Sequence, residues 1–143
     1  MNLFKKYFLI IFILSIVSGQ SNIISISDTV MIGGDTAWVS INVSNTDDIA
    51  GIQFDLSYPD EFTYIDSVIA GDRFVDHELQ VEFLDPMLRV MVYSASLTPI
   101  TGSSGTVLTL GFATEPVLGE FEIEFINPVL ANTDYENVLT KKG

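Results

Sequence analysis

The stretch Ile49-Ala50-Gly51-Ile52-Gln53-Phe54-Asp55-Leu56-Ser57-Tyr58-Pro59 decides the fold. Ile52, Phe54, Leu56 and Tyr58 alternate with Gln53, Asp55 and Ser57, and residues two apart share one face of a β-strand. One face is apolar and the other polar, so the strand belongs to a sheet covered on one side only. Tyr58-Pro59-Asp60 then ends it, because proline cannot donate to a ladder and aspartate favours turns. The same period extends outward in both directions. Val39, Ile41 and Val43 alternate with Ser40 and Asn42; Leu79, Val81 and Phe83 with Glu78, Gln80 and Glu82; Phe121, Ile123 and Phe125 with Glu120, Glu122 and Glu124. Further strands are predicted at Ile23 to Ser27, Thr63 to Val68, Leu88 to Ser94 and Thr106 to Ala113. Turn residues separate these runs at Gly33-Gly34-Asp35, Asn45-Thr46-Asp47-Asp48, Asp85-Pro86, Gly102-Ser103-Ser104-Gly105 and Leu118-Gly119. About eight or nine short one-sided strands predict an all-β, antiparallel two-sheet β-sandwich. Ala70 to His77 (AGDRFVDH) fits either a loop or one helical turn.

The N-terminus reads differently. Lys5 and Lys6 precede the apolar run Tyr7 to Val17 (YFLIIFILSIV), which is shorter than the roughly 20 residues a spanning helix needs. Val17-Ser18-Gly19 supplies the small residues of a cleavage site, so residues 1–19 are expected to be a signal peptide and residues 20–143 one domain. The expected destination is outside the cell or its surface, with no membrane span after cleavage. The chain carries nineteen acids against six basic residues, for a net charge of −13, and it has no cysteine. Such a charge repels nucleic acid, keeps a β-rich protein soluble and discourages pairing between sheet edges. Without disulfides, the domain must hold together by its core alone.

Little in the chain resembles an enzyme. Catalysis needs a matched set of groups, and His77 is the sole histidine, lying between Asp76 and Glu78 as a solvated loop residue would. Ser103 and Ser104 sit between glycines without a nucleophile elbow, and the Glu120, Glu122, Glu124 stripe reads as a solvated face. Calcium takes several oxygens from one loop, and two loops offer them: Asn45, Asp47 and Asp48, then Asn132, Asp134 and Glu136. Neither has the Asp-x-Asn-x-Asp-Gly spacing, so ordinary turn residues are the competing reading. No other cofactor is indicated.

Binding is the better-supported class. With Leu88, Val90 and Val92 inward, Arg89, Met91 and Tyr93 face out, and these are residue types enriched at protein interfaces. The competing reading is that a loop covers them or that both faces of the strand are buried. Trp38, outward with Ser40 and Asn42, could stack on a sugar, but it has no aromatic partner two residues away on its own strand.

The order of several motifs adds to this. Gly34-Asp35-Thr36 opens a Val/Ile strand, followed by the Ile49–Pro59 segment and Val68-Ile69-Ala70-Gly71-Asp72. Leu88-Arg89-Val90-Met91-Val92-Tyr93-Ser94, Gly105-Thr106-Val107-Leu108-Thr109-Leu110-Gly111-Phe112 and a strand ending at Asn127-Pro128 come later. This succession resembles the cohesin family, the sandwich modules that bind dockerins in extracellular assemblies, and it spans most of residues 20–143. The resemblance implies a nine-stranded jelly-roll topology in which strands three, five, six and eight form the recognition face. On that face it places Gln53, Asp55, Arg89, Met91 and Tyr93. Cellulosomal members carry Asn and Asp at the outward positions matching Gly51 and Gln53, and this chain keeps neither. The family usually closes with a further strand; here Val138 to Thr140 is either a stunted last strand or the approach to a longer protein. The expected function is a secreted, non-catalytic module for a dockerin-type or other exported protein, with polysaccharide degradation as its setting. The alternatives are a carbohydrate-binding module, and a spacer of a surface protein with no ligand of its own.

Overall fold

A computed structural model describes residues 19–143, so the expected signal peptide lies, but for Gly19, outside the described residues. Nine strands follow in order: β1 Ile23–Ile26, β2 Thr36–Ser44, β3 Ile49–Ser57, β4 Phe62–Ala70, β5 Glu78–Phe83, β6 Leu88–Tyr93, β7 Thr106–Thr114, β8 Glu124–Asn132 and β9 Lys141–Lys142. They form a five-stranded sheet, β4-β7-β2-β1-β9, and a four-stranded sheet, β5-β6-β3-β8. The all-β two-sheet sandwich is as predicted, and no described residue is helical. All pairings are antiparallel except β1 with β9.

The alternating residues meet between the sheets. Val39, Ile41, Val43, Ile52, Phe54, Leu56, Leu88, Val90 and Val92 are all buried, against Leu108, Leu110 and Phe112 of β7. Phe54 meets Phe125 edge to face at 5.0 Å between ring centroids, a favoured geometry for aromatic pairs. Phe112 is ringed by Tyr58 at 5.0 Å, Tyr64 at 5.8 Å and Phe62 at 6.1 Å.

Two expectations are corrected, and one open alternative is decided. Phe121 and Ile123 do pack on the core, with Phe121 5.5 Å from Phe62, but residues 120–123 form no strand. Their neighbour β3 pairs Ser57 with Glu124 and then turns away at Pro59, so earlier residues have no backbone to bond. Next, β8 does not end at Asn127-Pro128. It runs on to Asn132 through a register shift, with Asn127 at φ 48°, and an edge position tolerates proline there. Finally, Ala70 to His77 is a loop with turns and no helix. The last described strand is β9, which begins directly after the expected Val138–Thr140 and pairs Lys141 and Lys142 with Ile23 and Ile24.

Candidate functional site

The outer face of the four-stranded sheet is an ordered array, because antiparallel register sets outward residues side by side. One row across the sheet is Glu78, Tyr93, Gly51, Ala131; the next is Gln80, Met91, Gln53, Val129; the third is Glu82, Arg89, Asp55, Ile126. The predicted residues Gln53, Asp55, Arg89, Met91 and Tyr93 therefore all stand on one face, Gln53 directly opposite Met91 and Asp55 opposite Arg89. Gln53 and Tyr93 are exposed, while Met91 and Arg89 are half-buried.

Asp55 points outward but is only 8 % exposed, because Arg89 lies over it. Arg89 Nε donates to Asp55 Oδ1 at 2.8 Å and Nη2 to Oδ2 at 2.9 Å, a bidentate fork. That bonding holds the Asp55 carboxyl below its usual range and raises Arg89. The only guanidinium on the face is thus already paired, leaving Glu78, Glu82 and Glu124 to set its charge. Tyr93 donates its hydroxyl to Glu78 Oε2 at 2.6 Å, which fixes the ring across the β5–β6 edge. A Cβ at Gly51 would stand 3.5 Å from Val92 O and 3.6 Å from the Ala131 Cβ, both ordinary contacts. Gly51 is therefore not demanded by the backbone; with Ala131 it is a small residue in the row that holds Tyr93. Ala131, Val129 and Ile126 on β8 were missed in the sequence, since a strand ending at Pro128 does not contain the first two.

Trp38 lies on the opposite sheet and is 42 % exposed. Its ring covers Gly111, whose Cβ would fall 2.9 Å from Trp38 Cζ3, and Ile65 reaches the same spot. The outward neighbours on β7 are Thr109 and Ala113, so among the described residues no second ring stands beside it on the adjoining strand. The calcium candidates serve other ends. Asn45 Oδ1 accepts from the Arg73 guanidinium at 2.7 Å, a cationic contact incompatible with a bound cation, and Asp47 accepts from Asn22 Nδ2 at 2.6 Å. Asp48 is exposed. In the other loop, Asn132 Oδ1 accepts from the Asp134 and Glu136 amides, both at 2.9 Å, closing a turn. Among the described residues no group of three carboxylate or histidine side chains is gathered for a metal.

His77 is corrected too: its side chain is buried rather than solvated, 5.4 Å from the Phe74 ring, with Nδ1 accepting from the Val75 amide and Nε2 unpartnered. Burial lowers its pKa from the ordinary 6.5, outweighing the nearby Asp76. The unfolded chain therefore protonates first, so this contribution to stability is intact above pH 6.5 and lost as pH falls below it. Urea denaturation at about pH 7 and about pH 5 will show a smaller loss for His77→Phe than for the wild type; equal losses would refute this role.

No protein-family model and no curated protein matches the chain. Solved structures do. A non-cellulosomal cohesin from the archaeon Archaeoglobus fulgidus superposes with a TM-score of 0.72 at 15% identity, covering 85% of this chain and 86% of that one. A type I cohesin–dockerin complex from Clostridium thermocellum gives 0.70 at 19% identity, covering 85% and 94%. The sixth cohesin of scaffoldin B from Acetivibrio cellulolyticus, in complex with a dockerin, gives 0.69 at 19%, covering 88% and 95%. The likeness runs through both sheets at low identity, and what it establishes is that this chain is a cohesin-like β-sandwich, with the fold of the cohesins.

Proposed function

We propose that the chain is an exported, non-catalytic module that binds a dockerin-type or other secreted protein on the outer β5-β6-β3-β8 face, in the setting of polysaccharide degradation or a cell-surface assembly. The observation that carries the reading is the array itself: Met91, Gln53 and Val129 make a central row, flanked by the small residues Gly51 and Ala131 and an acidic β5 margin. The cohesin fold supports it, since solved neighbours are complexes with dockerins. The absence of Asn and Asp at Gly51 and Gln53 points to a partner different from those of the cellulosomal members. With Arg89 neutralised by Asp55, that partner should present an apolar centre and a neutral or basic margin.

Dockerins and secreted proteins of the same organism, screened against the immobilised protein, provide the test. Met91→Ala should weaken a captured partner about 30-fold, the roughly 2 kcal/mol expected of a central anchor. Trp38→Ala, on the opposite sheet, should leave binding unchanged. A screen without any partner, or binding that survives Met91→Ala but not Trp38→Ala, would remove the proposal.

A further inference from the structure

A groove of about 1020 Å³ opens beside the end of β9, and Gly143, directly after that strand, lines it. Ile26, Val39, Phe62, Phe121 and Ile123 form its buried and half-buried lining. Four more apolar side chains of the lining, Val30, Ile32, Val117 and Leu118, are exposed at its mouth, with Val30 and Leu118 in full contact with water. Apolar side chains gathered in this way mark interaction sites more often than those scattered singly.

Three observations say what could cover them. First, the ladder beside the groove is open. β9 pairs with Ile23 and Ile24 of β1, and the Gly143 amide donates to Ile24 O at 2.9 Å. Ile26, farther along, has Ile41 of β2 on one side and no described strand on the other. An uncovered strand edge is a template for a further strand. Second, the groove is held in shape. Gly33 packs so closely on the 115–117 segment that a Cβ there would fall 2.7 Å from Val117 O and 3.1 Å from Glu115 O, and the Phe121 ring meets Phe62 at 5.5 Å. Third, its charge has one sign. Asp28, Glu115, Glu120 and Glu122 stand exposed along it, no lysine or arginine lines it, and none of the four is in an ion pair among the described residues. Lys142, next to Gly143, is engaged with Phe125 O at 3.0 Å. A second copy of the chain and an anionic membrane surface carry the same sign and are repelled. A free sugar would leave the aliphatic mouth uncovered. An extended peptide meets all three demands, since its backbone completes the ladder, alternate side chains enter the groove, and those between them reach the acids.

We propose that this groove binds an extended segment of a partner protein by strand addition to the free edge of β1 past β9, with apolar residues at every second position and basic residues between them. The apolar side chains pack on Ile26, Phe62 and Phe121 and cover Val30 and Leu118; the basic ones face Asp28, Glu115, Glu120 and Glu122. Main-chain bonds supply affinity in this mode, and the alternating side chains supply specificity. The site is separate from the outward rows centred on Met91 and does not depend on what binds there.

The test is a titration of the isotope-labelled protein with acetyl-Lys-Val-Lys-Ile-Lys-Val-Lys-amide, followed by amide chemical shifts. Saturable shifts at Ile26, Ser27, Thr29 and Gly119 are expected at millimolar peptide, weakening as salt rises. A peptide with glutamate for each lysine tests charge, and one with the same residues but its lysines grouped at one end tests alternation. Both should bind at least tenfold more weakly. N-methylation at the central isoleucine, or at the lysine after it, removes one main-chain donor on each side of the strand in turn; one of the two should weaken binding by a similar factor. In the protein, Val30→Ser combined with Leu118→Ser should weaken the alternating peptide at least tenfold, and both residues are so exposed that the fold is kept. Met91→Ala should have no effect. Vesicles of phosphatidylcholine and phosphatidylglycerol, the membrane arm, should produce no shifts at these amides. The proposal is overturned by absent saturation, by the glutamate or grouped peptide binding as well as the alternating one, by full affinity in both N-methylated peptides, by wild-type affinity in the double variant, or by vesicles shifting these amides.

Discussion

Arg73→Met will lower the unfolding free energy by about 3 kcal/mol, because it leaves several buried oxygens unpaired at roughly 1–3 kcal/mol each. Arginine has five N–H donors, and here each has an acceptor. Nε donates to Thr101 O at 2.7 Å, Nη1 to Val43 O at 2.6 Å and Gly105 O at 3.2 Å, and Nη2 to Asn45 Oδ1 at 2.7 Å and Gly102 O at 3.2 Å. None of these is a carboxylate; the guanidinium is solvated by loop carbonyls in place of water. Burial lowers its pKa, and Asp72 nearby opposes that. A buried ion pair can often be exchanged for apolar residues at little cost, but only when both partners go. Here the acceptors are mostly main-chain oxygens that no side-chain substitution removes, so methionine leaves them unpaired. Arg73→Lys keeps the charge with three donors in place of five, and should recover part of the loss. Urea denaturation at neutral pH measures both; a change below about 1 kcal/mol for Arg73→Met would contradict the account.

The second large effect is expected at Asn22, which is fully buried just before β1. Its Nδ2 donates to Asp47 Oδ2 at 2.6 Å and Val138 O at 3.0 Å, while its Oδ1 accepts from the Thr46 and Asp47 amides at 3.0 and 3.1 Å. Its backbone N–H donates to Thr140 Oγ1 at 2.8 Å, and its carbonyl accepts from the Thr140 amide at 2.8 Å. One side chain thus ties the chain's start to the 45–48 turn and to the approach of β9. Asn22→Ala removes four side-chain bonds at roughly 0.5–1.5 kcal/mol each, so about 3 kcal/mol is expected. Asn22→Asp distinguishes hydrogen bonding from shape. It sets a second carboxylate against Asp47, raising the new group's folded pKa, so its stability is greatest at acid pH and falls as pH rises above about 4. Denaturation curves at about pH 3.5 and 7 decide it: an Asn22→Asp protein no more sensitive to rising pH than the wild type would show that the Asp47 contact is not as described.

The strands were legible in the sequence because one physical constraint, burial of one face, writes itself as period two; Val39 to Val43, Ile52 to Leu56 and Leu88 to Val92 were read from it directly. The same pattern misled at Glu120 to Ile123, because alternation reports burial and not the presence of a partner strand. Gln53, Arg89, Met91 and Tyr93 were readable as outward residues, since each lies between inward ones. What could not be read was register: that Gln53 faces Met91, or that Arg89 is spent on Asp55, depends on pairing between distant segments. Arg73 and Asn22 carried almost no local signal. A basic residue in AGDRFVDH, in so acidic a chain, was the one available hint for Arg73, and an asparagine before a strand is ordinary. His77 was misplaced because charged neighbours imply water, whereas its ring turns inward to Phe74.

The parallel seam between β1 and β9 also sets a schedule. Among the described strands β1 is made first, and the Asn22 backbone must wait for Thr140, 118 residues later, for its partner. β2 and β3 likewise wait for β7 and β8. β3, β5 and β6 can pair once Tyr93 is made, but neither sheet is closed until β7, β8 and β9 are, so the sandwich is completed late. Topologies dominated by such distant pairings fold in roughly milliseconds to seconds, which leaves the newly made chain open for an interval in which it can still be threaded or captured.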